Sequence, residues 1–172
     1  MKRSNNKGTL VLKGNLFSDG DIQAETIKVG NELSIMANLE AEKIIVGKDC
    51  KVTGNITTTK LLVNENCKIG GNLVCKEAGI SGKCQISGDA ECEWEMMANS
   101  LEVSGNIKCN NMIIKEDCKA KTITCSFTQV MGNIVAEKID TNGGCIYCGG
   151  SVTGEIVGNG EVYEYFKGWG NI

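Results

Sequence analysis

Apolar residues recur along this chain with a fixed stride. A Gly-Asn/Asp-apolar triplet stands at Gly20-Asp21-Ile22, Gly54-Asn55-Ile56, Gly71-Asn72-Leu73, Gly88-Asp89-Ala90 and Gly105-Asn106-Ile107, and Ala37-Asn38-Leu39 fills the remaining slot, so the starts are 17 residues apart. A fixed period of this length is the mark of a solenoid, in which each repeat buries its apolar face against its neighbours. Counting the Gly as position 1, six positions are apolar. Position 3 holds Ile22, Leu39, Ile56, Leu73, Ala90 and Ile107, and position 5 holds Ala24, Ala41, Thr58, Cys75, Cys92 and Cys109. Position 8 holds Leu10, Ile27, Ile44, Leu61, Ala78 and Met112, with Glu95 as the exception, and position 10 holds Leu12, Val29, Val46, Val63, Ile80, Met97 and Ile114. Position 14 holds Leu16, Leu33, Cys50, Cys67, Cys84, Leu101 and Cys118, and position 16 holds Ile35, Val52, Ile69, Ile86, Val103 and Ala120.

The positions pair as 3/5, 8/10 and 14/16, each pair split by one residue, which is the alternation of a strand. Many are β-branched, and no 3.6-residue period is present. Three very short strands per repeat, stacked on their equivalents, predict an all-β parallel β-helix of triangular section. About nine coils at roughly 4.8 Å each give a rod on the order of 40 Å long. Gly and Asn at positions 1 and 2 suit a corner because both tolerate positive φ, and Asn side chains in register can bond along the stack. Hexapeptide left-handed helices, with 18 residues per coil, do not fit a period of 17, and the Gly-Gly-x-Gly-x-Asp calcium repeat is missing.

The register breaks twice. From Gly105 the next Gly-Asn-Ile is at 132, so 122–131 reads as a ten-residue insertion or a distorted coil. From Gly132 the next comparable triplet is Gly154-Glu155-Ile156, which places about five extra residues around 142–150. The chain therefore divides into a short basic tail (1–7), a β-helix domain (8–160) and an aromatic segment (161–172) that reads as a cap or an assembly surface.

Composition narrows the function. The 172 residues carry a net charge of -3, which argues against a nucleic-acid partner. There is no His, which removes His-based catalysis and His metal ligands, and no Pro beside 22 Gly, which argues for an ordered chain. No run of about 18 apolar residues occurs, and the start lacks a signal-peptide core, so the cytoplasm, with its thiols reduced, is the expected compartment.

The pattern resembles that of the bactofilins, polymer-forming bacterial cytoskeletal proteins. The resemblance rests on the Gly-Asn-Ile/Leu starts and on stretches such as Ala37-Asn38-Leu39-Glu40-Ala41-Glu42-Lys43-Ile44-Ile45-Val46-Gly47 and Gly132-Asn133-Ile134-Val135-Ala136-Glu137-Lys138-Ile139. It implies a right-handed β-helix that stacks end to end, without nucleotide or other cofactor, into non-polar filaments. It also implies a scaffold for cell-shape and cell-wall proteins in the cytoplasm, near the inner face of the membrane. The chain departs from the family in its wealth of Cys, and in lacking a Pro-containing tail and a hydrophobic anchoring stretch, so membrane association finds no support here.

The physical case for assembly is the open end of a solenoid, whose strand edges are templates for another chain. The expected interface is Leu10, Leu12 and Leu16 at the first coil, with Tyr163, Tyr165, Phe166 and Trp169 at the other end. Two other classes stay open. One is a polysaccharide-active β-helix enzyme built on Glu93, Glu95 and Glu102; the other is a monomeric binding module displaying 122–131 and 142–150. No catalytic, cofactor or metal residue is assigned. The Cys columns read as small hydrophobes in a narrow core, since Leu33, Leu101, Ala24, Ala41 and Thr58 share them. A linear stack of thiols does not supply a tetrahedral zinc site, while axial disulfides are within reach in distance but disfavoured by parallel Cβ vectors and a reducing compartment. Cys145-Ile146-Tyr147-Cys148 is a lone CxxC, expected in a loop between two Gly pairs. Glu95 reads as the site of a bulge that turns it outward, or as a polar site in mid-rod. Gly79-Ile80-Ser81-Gly82-Lys83 fails the phosphate-loop pattern at both ends. Lys2, Arg3 and Lys7 read as a solvated tail, with weak attraction to anionic lipid or an acidic partner as the alternative.

Overall fold

A computed structural model describes residues 8–18 and 20–164, which wind as a parallel β-solenoid of about nine turns with no helix among them. Each strand pairs in register with its equivalent in the next turn. The first series is β1 (Thr9–Leu12), β3 (Ile22–Val29), β5 (Leu39–Val46), β7 (Ile56–Val63) and β9 (Leu73–Ile86), joined through Ile22↔Leu39↔Ile56↔Leu73 and Leu10↔Ile27↔Ile44↔Leu61. The 3/5 and 8/10 pairs, expected as separate strands, share one eight-residue strand in β3, β5 and β7 that changes its inward parity between positions 5 and 8. Position 8 is inward throughout, with Ile27, Ile44 and Leu61 fully buried. The third edge is short: β2 (Leu16–Phe17), β4 (Ser34–Met36), β6 (Cys50–Val52) and β8 (Cys67–Ile69). In β9 and β10 (Ala90–Val103) the third edge fuses with the first two into 14-residue strands.

The corner before position 3 is held by a hydrogen-bond ladder. The Asn38 Oδ1 accepts the Asn55 N–H, Asn55 Oδ1 the Asn72 N–H, Asn72 Oδ1 the Asp89 N–H and Asp89 Oδ1 the Asn106 N–H, at 2.7–2.9 Å. The glycines at position 1 serve this ladder. None of Gly54, Gly71, Gly88 and Gly105 has a positive φ, contrary to the expectation from the sequence. A Cβ on them would lie 2.0–2.5 Å from the Asn or Asp Oδ1 of the turn below, so the residue is small because the ladder passes through its space.

Several columns shift from the 17-residue alignment. Leu16 pairs with Ile35, not Leu33, because the first turn cuts its corner two residues short. In β10 the register slips between Cys92 and Glu95. One extra residue is taken up there, so Met96 is buried at position 8 opposite Ala78, Glu95 is half-buried, and Met97 is exposed with Ala98 inward in its place. The bulge expected at Glu95 is thus present, and the assignment of Met97 to the core is corrected.

The stretch 122–131 is neither an insertion nor distorted. It forms β13 (Thr122–Val130), paired with β11 (Asn106–Ile114) through Ile107↔Ile123, Cys109↔Cys125, Met112↔Thr128 and Ile114↔Val130, each 16 residues on. The Gly132-Asn133-Ile134 triplet that suggested an insertion sits at a different corner, since Ile134 follows Cys118 of β12 (Cys118–Lys119) in column 14. There Asp117 Oδ1 accepts the Asn133 N–H at 2.7 Å and Asn133 Oδ1 the Ser151 N–H at 3.0 Å, the same device in a second place. Next come β14 (Ile134–Asp140) and β15 (Cys145–Cys148), the latter stacked on β13 through Thr128↔Ile146. That offset of 18 needs only about two extra residues, and these make the left-handed pair Asn142 (φ 48°) and Gly143 (φ 79°). The CxxC is therefore in a strand, not a loop. β16 (Val152–Val157) and β17 (Glu161–Glu164) close the described turns, and Glu161–Glu164 continues the solenoid through Ile146↔Val162.

Candidate assembly edges and groove

At the N-terminal end β1 pairs with β3 and β2 with β4, and among the described residues neither has a partner on its other side. Leu10, Leu12 and Leu16 point toward the core but are only half-buried, whereas Ile27, Val29 and Ile35, one turn in, are buried. Outside, Phe17 is 68% exposed beside Met36, and Val11 is also exposed, so this edge is apolar on both faces. At the other end Val152 and Val162 pack half-buried on the core. Tyr163 stacks on Tyr147 with ring centroids 5.0 Å apart and planes at 12°, and Phe127 lies 5.8 Å below Tyr147. The Tyr163 hydroxyl donates to the Glu161 carboxylate, and that hydrogen bond, with the carboxylate's charge behind it, holds the phenol above its usual range. Tyr165, Phe166 and Trp169 lie outside the described residues. The aromatic ladder escaped the sequence reading because Phe127 and Tyr147 were assigned to irregular segments.

A groove of about 1370 Å³ runs along the corner between positions 4 and 6. Its floor is column 5, where Ala24, Ala41, Thr58, Cys75, Cys92 and Cys109 are too small to fill the corner. Its rims carry axial ion pairs, Lys108–Glu91 at 2.9 Å and Lys76–Glu93 at 3.3 Å. The β10 bulge pushes Trp94 out at the rim, with Lys76 Nζ 4.9 Å from its ring centroid. The signal for the groove was legible as a column of small residues between charged ones, but it was read only as core.

The acidic cluster of the enzyme reading is not brought together. Glu93 lines the groove, Glu95 is on the bulge, and Glu102 belongs to the third edge with Lys83 at 3.5 Å and Lys119 at 3.9 Å. The hydrogen bond from Gln85 holds the Glu102 carboxyl below its ordinary range, so it is a poor proton donor. Gly79-Ile80-Ser81-Gly82-Lys83 is inside β9 and does not open a helix, as a phosphate loop must. Cys145 faces outward and Cys148 inward, so their sulfurs cannot meet. No group of three or more His, Cys, Asp or Glu side chains among the described residues is placed to hold a metal. In column 14, burial pushes Cys84 and Cys118 up to about 12 and raises Cys67 as well.

Residues 47–125 match the family model of the bactofilins. The family is described as polymer-forming and cytoskeletal. The matched segment spans the central turns, including the groove floor from Thr58 to Cys109, and leaves both terminal edges outside it. No curated protein and no solved structure matches the chain significantly. No helix among the described residues is long and apolar enough to cross a membrane.

Proposed function

We propose that the protein is a self-assembling scaffold subunit, without catalytic activity, that forms filaments by stacking end to end. The observation that carries this reading is a single apolar core, continuous from Leu12 to Val162, that reaches two strand edges unpaired among the described residues. Such an edge over an apolar core is a template for a second copy. Two such ends on one rod give an open chain of subunits instead of a closed pair. Like ends meet: Leu10, Leu12 and Leu16 close on the same residues of a second copy at one end, and the Tyr163 side closes on its own counterpart at the other, with Tyr165, Phe166 and Trp169, which lie beyond the described residues, assigned to that second contact. On this reading stacking needs no nucleotide, and the stretch 79–83 that resembled a phosphate loop is a strand. The matched family supports a cytoskeletal role, which we place in the cytoplasm with cell-wall and cell-shape proteins as the further partners. Negative-stain microscopy and light scattering of the purified protein test the reading. Filaments of the same length with and without nucleotide are expected, and a monodisperse monomer at high concentration overturns it.

A further inference from the structure

Column 5 holds four cysteines in successive turns, Cys75, Cys92, Cys109 and Cys125. Cys125 joins them only because β13 is a regular turn. Its partner across the pair is Cys109, and the two Sγ atoms are 3.0 Å apart, inside the van der Waals contact of two sulfurs. Residues opposed on adjacent parallel strands are about 4.8 Å apart, within the Cα window of a disulfide, so only about 1 Å of sulfur movement separates this contact from a bond of about 2.05 Å. The other thiol column differs. There Cys50 Sγ turns to the Gly30 carbonyl at 2.9 Å and Cys118 Sγ lies 4.0 Å from the Met112 sulfur. Access differs too, because Cys109 lines the groove and Cys67 and Cys84 do not.

We propose that Cys109 and Cys125 are a reversible oxidation site, joined by a hydroperoxide into an axial disulfide that staples two successive turns at the groove floor. Cys125 Sγ reacts first, because hydrogen bonds from the Cys109 thiol and the Thr128 hydroxyl hold it below its usual range and so supply the thiolate that attacks peroxide. Peroxide arrives from the side of Cys109, which lines the groove. The Cys125 sulfur takes one peroxide oxygen as the O–O bond breaks, and one water leaves, giving a sulfenic acid. Cys109 Sγ, which the same contact holds above its usual range, then attacks that sulfur, and its proton departs with the sulfenic hydroxyl as a second water. Two thiols lose two electrons and one hydrogen peroxide becomes two waters.

The test treats the full-length reduced protein with hydrogen peroxide, blocks remaining thiols by alkylation and maps a non-reducing digest by mass spectrometry. A stoichiometric Cys109–Cys125 crosslink, reversed by dithiothreitol, is expected, with Cys67 and Cys84 recovered as free thiols. Cys109→Ser and Cys125→Ser each remove the crosslink, and Cys67→Ser leaves it in place. Because the digest of the wild-type protein decides the matter, the result does not depend on the variants folding. Cys109 and Cys125 recovered as free thiols, oxidised singly or paired with other cysteines, overturn the proposal.

Discussion

The Asn72 side chain serves two turns at once. Its Oδ1 accepts the Asp89 N–H at 2.9 Å and also occupies the space where a Cβ on Gly88 would come, 2.0 Å away. Gly88→Ala therefore forces the ladder apart and is expected to cost about 1–3 kcal/mol. Asn72→Ala leaves a backbone donor without its acceptor, a loss of about 1 kcal/mol. The double variant should lose less than the sum by more than about 0.5 kcal/mol, because removing the Asn72 side chain takes away the nearest clash and leaves only the Gly71 carbonyl, at 2.9 Å, to shift. Urea unfolding of the three variants measures this, and strict additivity would show that Gly88 is not there for the ladder. The buried thiols give a pH dependence at the same scale. Burial raises Cys84 and Cys118 from 9.0 to about 12 in the fold, so both stay protonated there while the unfolded chain ionises. The stability they contribute is complete below pH 9 and is lost as pH climbs from 9 toward 12, at no more than about 1.4 kcal/mol per pH unit for each thiol. Thermal melts should hold steady from pH 7 to 8 and fall above 9, and Cys84→Ala should flatten that fall. An unchanged slope in Cys84→Ala would remove this thiol from the account.

Strands tolerate one irregularity if the next corner absorbs it, and β10 is the clearest instance. Its bulge inserts a residue after Cys92, and a second slip between Ala98 and Ser100 restores the register, so the turn keeps its length of 17 from Cys75 to Cys92 and from Cys84 to Leu101. The consequence is an inversion of roles among neighbours. Met96→Lys puts a charge into the filled core and should cost several kcal/mol, on the order of 3–5, whereas Glu95→Lys and Met97→Lys should stay within about 0.5 kcal/mol. Chemical denaturation of the three reads the bulge directly; a severe Met97→Lys with a mild Met96→Lys would restore the unbroken column. The period of 17 was legible because Ile22, Leu39, Ile56 and Leu73 repeat both spacing and chemistry. The phase after Ile114 was not. Gly-Asn is a local solution to a crowded corner, not an address, and the chain uses it at Gly71-Asn72 and again at Gly132-Asn133 in a different column. With the triplet taken as an address, the regular turn at Thr122–Val130 became an insertion, and the thiol contact between Cys109 and Cys125 and the stack from Phe127 to Tyr163 went unseen. The groove was hidden for another reason: a column of small residues reads as core unless the corner is known to be too open for them to fill.

A rod whose turns are nearly equivalent has no interior boundary, and its core comes to the surface where the repetition stops. The first turn here stops with half-buried leucines and an exposed Phe17, and the last described turn with half-buried Val152 and Val162 beside the exposed Tyr163. Within the rod each inward side chain is covered from both sides; at the ends of the described turns it is covered from one, and in the proposed filament a second copy supplies the other. Such burial is worth roughly 25 cal/mol per Å², so an end-to-end contact strengthens with each apolar side chain it closes over. A lysine at an end position keeps its charge in water as long as the end stays open, so Leu12→Lys and Val162→Lys should leave the interior turns folded. Contact through that end would bury the charge without a partner, and growth there should cease. Leu12→Lys is expected to stop at dimers joined through the C-terminal end, and Val162→Lys at dimers joined through the N-terminal end. The double variant should be a monomer, and melting curves of all three should stay close to that of the parent subunit. Light scattering with microscopy separates the outcomes. Long filaments from the double variant would mean that the rods associate side by side. Dimers from the unaltered protein, abolished by Leu12→Lys alone, would mean that the aromatic end is a cap.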